Sequence, residues 1–281
     1  MTNPQIISRA TTFVLLWLIA GPVAAQDNTD KAPDPSDPTA IARYVTFTPF
    51  VRELSGEGQN EGEVRGIEVE PWFPLGQNNQ LLSFTLTLQE ARFHGRSTES
   101  GIGDTRIRYF YLFSGKPNSV LRAWAPSIDV FAPTGDEDKG LGTGEWIVAP
   151  NIVLAFKPHP KLDIYPFFRY IWSQDTVQVD NGSGDINLPC DEDTGSCRVD
   201  VSALNIEATF NWSFENLPVQ YAYLAPNWTR NFDDDGESLQ WKLGLGSMIN
   251  QRVGFAGELR FDGGGENPTD DEVRFTAFYY F

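Results

Sequence analysis

Long stretches of this chain alternate apolar and polar residues at a period of two. In Leu82-Ser-Phe-Thr-Leu-Thr-Leu88, Leu239-Gln-Trp-Lys-Leu-Gly-Leu245 and Val253-Gly-Phe-Ala-Gly-Glu-Leu-Arg-Phe261, large apolar side chains hold one parity. Ser, Thr, Gln, Lys, Glu, Arg or Gly hold the other. That is the pattern of a strand with one apolar and one polar face. The segments 204–212 and 107–113 repeat it, and weaker cases complete a set of strands over 43–54, 63–73, 81–92, 101–113, 120–131, 145–157, 161–173, 201–213, 217–230, 238–249, 252–261 and 272–281. No helical periodicity competes with it. The expectation is an all-β fold, a transmembrane antiparallel up-and-down β-barrel of about twelve strands of the outer-membrane type. Each stretch reaches the ~9–11 residues that cross a bilayer at a tilt, and the count is even. A soluble sandwich alternates in the same way, so other features must separate the two.

The two ends of the chain favour the membrane. In the last segment Val273, Phe275, Ala277, Tyr279 and Phe281 share one face, and Glu272, Arg274, Thr276, Phe278 and Tyr280 the other. A final amphipathic strand closing on an aromatic residue resembles the signal that the barrel-assembly machinery reads, which makes Phe281 a candidate assembly signal. At the other end Arg9 precedes an apolar run, Phe13-Val-Leu-Leu-Trp-Leu-Ile-Ala20, and then Val23-Ala-Ala25. This reads as a secretory signal peptide over residues 1–25, too short to span a bilayer and broken by Gly21-Pro22 before its cleavage site. Residues 26–42, polar and with three prolines, read as a disordered periplasmic lead-in, leaving 43–281 for the barrel.

With the N-terminus in the periplasm, the connections sort by side. Inward turns fall at Pro74–Gln80, Ser114–Ser119, Pro158–Pro160, Glu215–Leu217 and Asn250–Gln251. Outward loops fall at Ser55–Gly62, Phe93–Ser100, Ala132–Gly144, Gln174–Asp200, Asn231–Glu237 and Asp262–Glu272. The longest all lie outside, the asymmetry expected of outer-membrane barrels. The outward loops carry 22 of the 38 acidic residues and the inward turns one, Glu215. A soluble sandwich has no reason to segregate charge and loop length by parity.

Composition agrees. Aromatic residues make up 13% of the chain, and such residues girdle the rims of these barrels. Beyond the signal, 20 basic residues (21 less Arg9) face 38 acidic ones, a balance of −18. That excess excludes nucleic acid as a partner. The expected location is the outer membrane of a bacterial cell, with lipid and lipopolysaccharide as surroundings.

Six prolines, Pro49, Pro71, Pro126, Pro150, Pro166 and Pro226, sit inside the expected strands. A proline removes a ladder donor and belongs at edges or bulges. All six fit the outward parity. Either each marks a bulge or bend, or some strands break and the true count is ten.

Gly101-Ile-Gly-Asp-Thr-Arg106 opens a strand, Ala132-Pro-Thr-Gly-Asp136 and Gly140-Leu-Gly-Thr-Gly-Glu-Trp146 follow, and Pro150-Asn151 comes next. In this order, ahead of a terminal Phe281, the motifs resemble the phenol-degradation (meta-pathway) outer-membrane family, a broad group that includes the functional-amyloid secretion pore. The similarity covers roughly residues 80–281. It implies a twelve-stranded outer-membrane barrel acting as a pore or transporter. Residues 26–42 are too short for the N-terminal coiled coil of the amyloid-secretion members and carry no heptads, so amyloid export is not implied.

The lumen-facing parity supplies Arg52, Glu68, Glu70, Asp104, Arg106, Arg108, Asp129, Arg169, Glu207, Lys242, Glu258, Arg260, Glu272 and Arg274. Opposite charges on neighbouring strands suit cross-strand pairs that line or constrict a narrow barrel. They read either as a selectivity ladder for solutes or as a rigidifying ionic core. Phe50, Phe110, Tyr165, Phe167, Tyr221, Tyr223 and Tyr280 share that parity and favour an aromatic or apolar solute.

Cys190 and Cys197, the only cysteines, lie in the longest loop and should pair after export into an oxidising periplasm. Two thiols do not make a zinc site. Asn231-x-Asp233-x-Asp235-Gly236 begins like a calcium loop, but Lys242 stands where the bidentate Glu belongs. Diffuse divalent bridging to lipopolysaccharide phosphates fits the acidic loops better, and no metal site or cofactor is expected. Only His94 and His159 offer imidazole, without a nucleophile elbow beside either. The expected function is a non-enzymatic pore or transporter for small solutes. The alternatives are a plugged structural or surface-binding barrel and, further off, an outer-membrane lipid hydrolase.

Overall fold

The computed structural model describes residue 39 and residues 41–281 apart from 56–60, 77–78, 96, 117–118, 176, 179–197, 200, 216, 234–235 and 266–268. The expected signal peptide, most of the lead-in and the Cys190–Cys197 pair lie outside the described residues.

Twelve long strands follow one another: β1 (Tyr44–Ser55), β2 (Glu61–Leu75), β3 (Gln80–Phe93), β4, β5 (Leu121–Ala132), β6 (Ile147–His159), β7 (Leu162–Ser173), β8 (Ser202–Ser213), β9 (Tyr221–Asn231), β10 (Glu237–Met248), β11 (Val253–Gly265) and β12 (Asp271–Tyr280). β4 runs in pieces, Glu99–Ile102, Thr105–Tyr111 and Phe113–Ser114. Each strand pairs antiparallel with its neighbours, and β12 returns to β1 from Tyr44↔Tyr280 to Glu53↔Asp271. The sheet closes on itself and leaves no edge. A small hairpin, Val177–Gln178 with Arg198–Val199, stands on the loop after β7.

Burial alternates along every strand. In β3 Leu81, Ser83, Thr85 and Gln89 are buried while Leu86 and Leu88 are exposed. The exposed parity carries Phe47, Leu86, Ile107, Ile128, Phe168 and Leu243. An apolar outer band of this kind is what lipid requires. Exposed aromatics flank it, with Trp146, Tyr170 and Trp172 at the end bearing the long loops. Trp212, Phe214, Tyr279 and Phe281 flank it at the end bearing the short turns.

The prolines do not reduce the count. Each keeps its ladder with one neighbour and interrupts it with the other, without shifting register. Pro49 pairs with Ile67 of β2, whereas on the β12 side the ladder passes from Phe47↔Ala277 to Phe50↔Arg274. Pro71 pairs with Val45, and the β3 side skips from Val69↔Leu86 to Trp72↔Ser83. Pro126, Pro150, Pro166 and Pro226 repeat the arrangement. A missing N–H affects one ladder only, and the other holds the strand in place.

Two expectations are corrected. The strand expected over 101–113 breaks at Gly103–Asp104, where Gly103 still donates to the Thr87 carbonyl (2.8 Å). The strand expected from 217 begins at Tyr221, after a turn in which Phe214 N–H donates to the Gln220 carbonyl (2.7 Å).

Candidate functional site: the barrel lumen

Neighbouring strands lie about 4.8 Å apart, so side chains two strands apart are separated by roughly 10 Å of backbone spacing. Long charged side chains bridge that gap wherever the strand between them carries a short one. Arg106 on β4 reaches Glu70 on β2 (3.1 Å) across β3, whose Ser83 and Thr85 hydroxyls donate to the same carboxylate (2.9 and 3.0 Å). Arg169 on β7 reaches Asp129 on β5 (3.4 Å) across Ala149 and Asn151 of β6. Lys242 on β10 reaches Glu207 on β8 (2.7 Å), and Asn227 between them donates to that carboxylate (2.9 Å). Arg274 on β12 pairs with Glu68 on β2 across β1. Adjacent strands add Arg108–Asp129 (2.7 Å), Arg52–Glu272 (3.3 Å) and Arg260–Glu272 (3.3 Å). Within one strand, Arg260 also bonds Glu258 (2.7 Å) and Arg274 bonds Glu272 (3.0 Å).

Of the fourteen charged residues that share the lumen-facing parity in the sequence, these ion pairs join Arg52, Glu68, Glu70, Arg106, Arg108, Asp129, Arg169, Glu207, Lys242, Glu258, Arg260 and Arg274. With Glu272 they form a belt of seven cations and six anions, every one of them in an ion pair. The belt is tight: Asp129 is 0% exposed, Glu272 3% and Arg52 4%.

Aromatic rings border the belt. Arg169 lies 4.7 Å from the Phe167 ring centre, Arg108 6.0 Å from Trp72, and Arg52 and Arg274 5.6 and 5.8 Å from Phe50. Tyr223 reaches over Gly244 to donate to Glu258, and a side chain at Gly244 would collide with its ring. At the turn end Trp72, Leu81, Phe110, Val153 and Tyr165 form a buried cluster against which Tyr44 and Ile41 pack. Thr39 is buried too, so the end of the expected lead-in is part of the packed structure.

The loop end is narrowed from outside. The connection after β5 folds inward, with Leu141 packed against Phe50, Leu54, Val64, Ala91 and Phe93. Asp104 holds it there. Its carboxylate accepts from Thr143 N–H (2.8 Å), Thr143 Oγ1 (2.6 Å) and Gly135 N–H (3.0 Å). Gln89 donates to the Leu141 carbonyl (2.9 Å). The glycine motifs thereby acquire a cause. A Cβ at Gly101 would stand 2.9 Å from Leu141 Cδ1, and one at Gly142 2.6 Å from Asp104 Oδ1. Gly140 and Gly144 take φ of 70° and 82°, which favour glycine. On the exposed tip, Lys139 lies 2.6 Å from Asp136 and its hydrogen bond holds that carboxyl below the usual range.

The remaining candidates stand apart. Phe281 sits on the outer surface, its N–H donating to the Arg43 carbonyl (3.2 Å) and its ring stacked on Tyr279. Ser97 donates to Glu99 (2.6 Å), not to His94, and His159 Nδ1 accepts from Lys161 N–H (3.2 Å). Trp72, Tyr44 and Leu141 join the site although none is among the lumen-facing residues expected from the sequence. Trp72 shares the parity of Glu68 and Glu70, a signal that was there to read.

Residues 59–186 match the sequence model of a family described as "Putative MetA-pathway of phenol degradation". An outer membrane channel from Pseudomonas putida F1 superposes with a TM-score of 0.62 at 12% identity, over 91% of this chain and 100% of that one. The NanC porin superposes with a TM-score of 0.54 at 10% identity, over 85% and 100%. No curated protein matches the sequence. The fold is that of a bacterial outer-membrane β-barrel.

Proposed function

We propose that this protein is an outer-membrane channel for small solutes that favours aromatic or apolar compounds and does no catalysis. The observation that carries the reading is the pairing of the belt. Seven cations against six anions leave a weak net field at the constriction, and the acidic outer loops act only within the ~8 Å that salt permits. Selection then falls to the rings lining the turn half of the lumen. The phenol-degradation family and the two superposed outer-membrane proteins support the same reading. The thirteen belt residues line the pore, Phe281 is the assembly signal, and lipopolysaccharide and the barrel-assembly machinery are partners. Residues 1–25 are the signal peptide, followed by the lead-in.

A second reading, a plugged structural or surface-binding barrel, draws on the same belt, seven of whose thirteen residues are buried. Uptake separates the two. Proteoliposomes at alkaline pH should take up 4-hydroxybenzoate faster than protein-free vesicles and faster than they take up glucose. Equal rates for protein and control vesicles would leave the plugged barrel, and a preference for glucose would leave a general porin.

A further inference from the structure

Trp72 is 8% exposed at the turn end of the lumen, between the belt and the short turns. Its ring stacks on Tyr44, with centres 5.5 Å apart and planes within 11°. It meets Phe110 edge-on at 5.6 Å, and the Arg108 guanidinium lies over it. Leu81 and Tyr165 belong to the same buried apolar cluster. In these surroundings the indole Nε1 is buried and meets no hydrogen-bond acceptor among the described residues.

A buried donor without an acceptor is costly, and an oxygen brought to it recovers the bond. The surroundings restrict what can bring that oxygen. A cluster of flat rings with a guanidinium beside it suits a planar aromatic ring as an added neighbour, and one N–H suits a single acceptor. Polar sugars would lose their other hydrogen bonds there. One member of the cluster is not part of the barrel wall. Ile41 lies three residues before β1 and packs against the cluster from the N-terminal side.

We propose that Trp72, Tyr44 and Phe110 form a binding subsite for a planar aromatic solute carrying an oxygen acceptor. Trp72 Nε1–H donates to that oxygen, and Ile41 occupies the place the solute takes. The inference rests on the reading of the barrel as a channel for aromatic solutes and names the group that separates oxygen-bearing aromatics from hydrocarbons of the same shape.

The test uses the full mature chain, refolded with its indole nitrogens isotopically labelled, and two probes of matched shape, p-cresol and p-xylene. Trp72→Phe assigns the Trp72 indole resonance by its loss, and Trp72→Tyr does so if the first variant fails to fold. On adding p-cresol that resonance should move downfield, while p-xylene leaves it in place. Ile41→Ala should lower the p-cresol concentration that gives half the shift. A Trp72 resonance that p-cresol does not move, or that both probes move alike, overturns the subsite. An unchanged midpoint in Ile41→Ala overturns the displacement. Because the readout is binding, it stays separate from the channel reading: a shift without uptake removes transport and keeps the subsite, and uptake without a shift does the reverse.

Discussion

Arg108 and Asp129 face each other across β4 and β5 as a two-pronged pair, Nε 2.7 Å from Oδ1 and Nη2 2.8 Å from Oδ2. Asp129 also receives Arg169 from two strands away, so one fully buried carboxylate holds two guanidinium groups. Removing one partner of a buried pair typically costs about 3–5 kcal/mol, because the other charge stays buried. Asp129→Asn should therefore lower the urea midpoint of the folded-to-unfolded band shift on gels. It should also displace the reversal potential toward anions, since the lumen gains one net positive charge. An unchanged midpoint would mean that water reaches the two arginines.

Asp104→Ala removes the three hydrogen bonds that hold the loop after β5 inside the mouth. Bonds to a charged group contribute roughly 1.5–3 kcal/mol each, enough together to release the loop. Single-channel conductance should rise, and protease added to intact cells should cut between 135 and 144. Wild-type conductance together with wild-type protection would show that Leu141 packing alone is sufficient.

Much of this architecture is legible in the sequence. Alternation places Leu82, Phe84 and Leu86 outside and Arg106 and Arg108 inside because a strand's side-chain period is two whatever its neighbours do. What parity does not give is height. That Arg106 skips β3 to reach Glu70, while Arg108 takes the adjacent Asp129, depends on register and on the short side chains at Ser83 and Thr85. Register is a relation between strands that the alternation within one strand does not fix. The inward fold of Leu141 depends likewise on the break at Gly103–Asp104. A pattern of two reads as continuous there, although the glycines at 101, 103, 135 and 142 mark the close approach.

Gly244→Ala places a methyl group against the Tyr223 ring and should displace its hydroxyl from Glu258. Overpacking of this kind costs typically 1–3 kcal/mol, so the urea midpoint should fall. Gly257, whose added Cβ would meet nothing within 4 Å, is the control and should tolerate alanine.

Sidedness follows from loop length. Cysteine replacing Asp233, exposed on the connection after β9, should react with an impermeant maleimide on intact cells. Cysteine replacing Lys116, exposed on the connection after β4, should react only once the outer membrane is permeabilised. The opposite pattern would invert the barrel.

On the proposed reading the paired belt is a nearly neutral constriction in an open channel. The reversal potential of the refolded protein in a planar bilayer under a KCl gradient tests it most directly. A measurable conductance with a reversal potential near zero is the predicted result. A potential near the cation limit would mean that the acidic loops govern and the belt does not, and no conductance would mean that the belt seals the barrel.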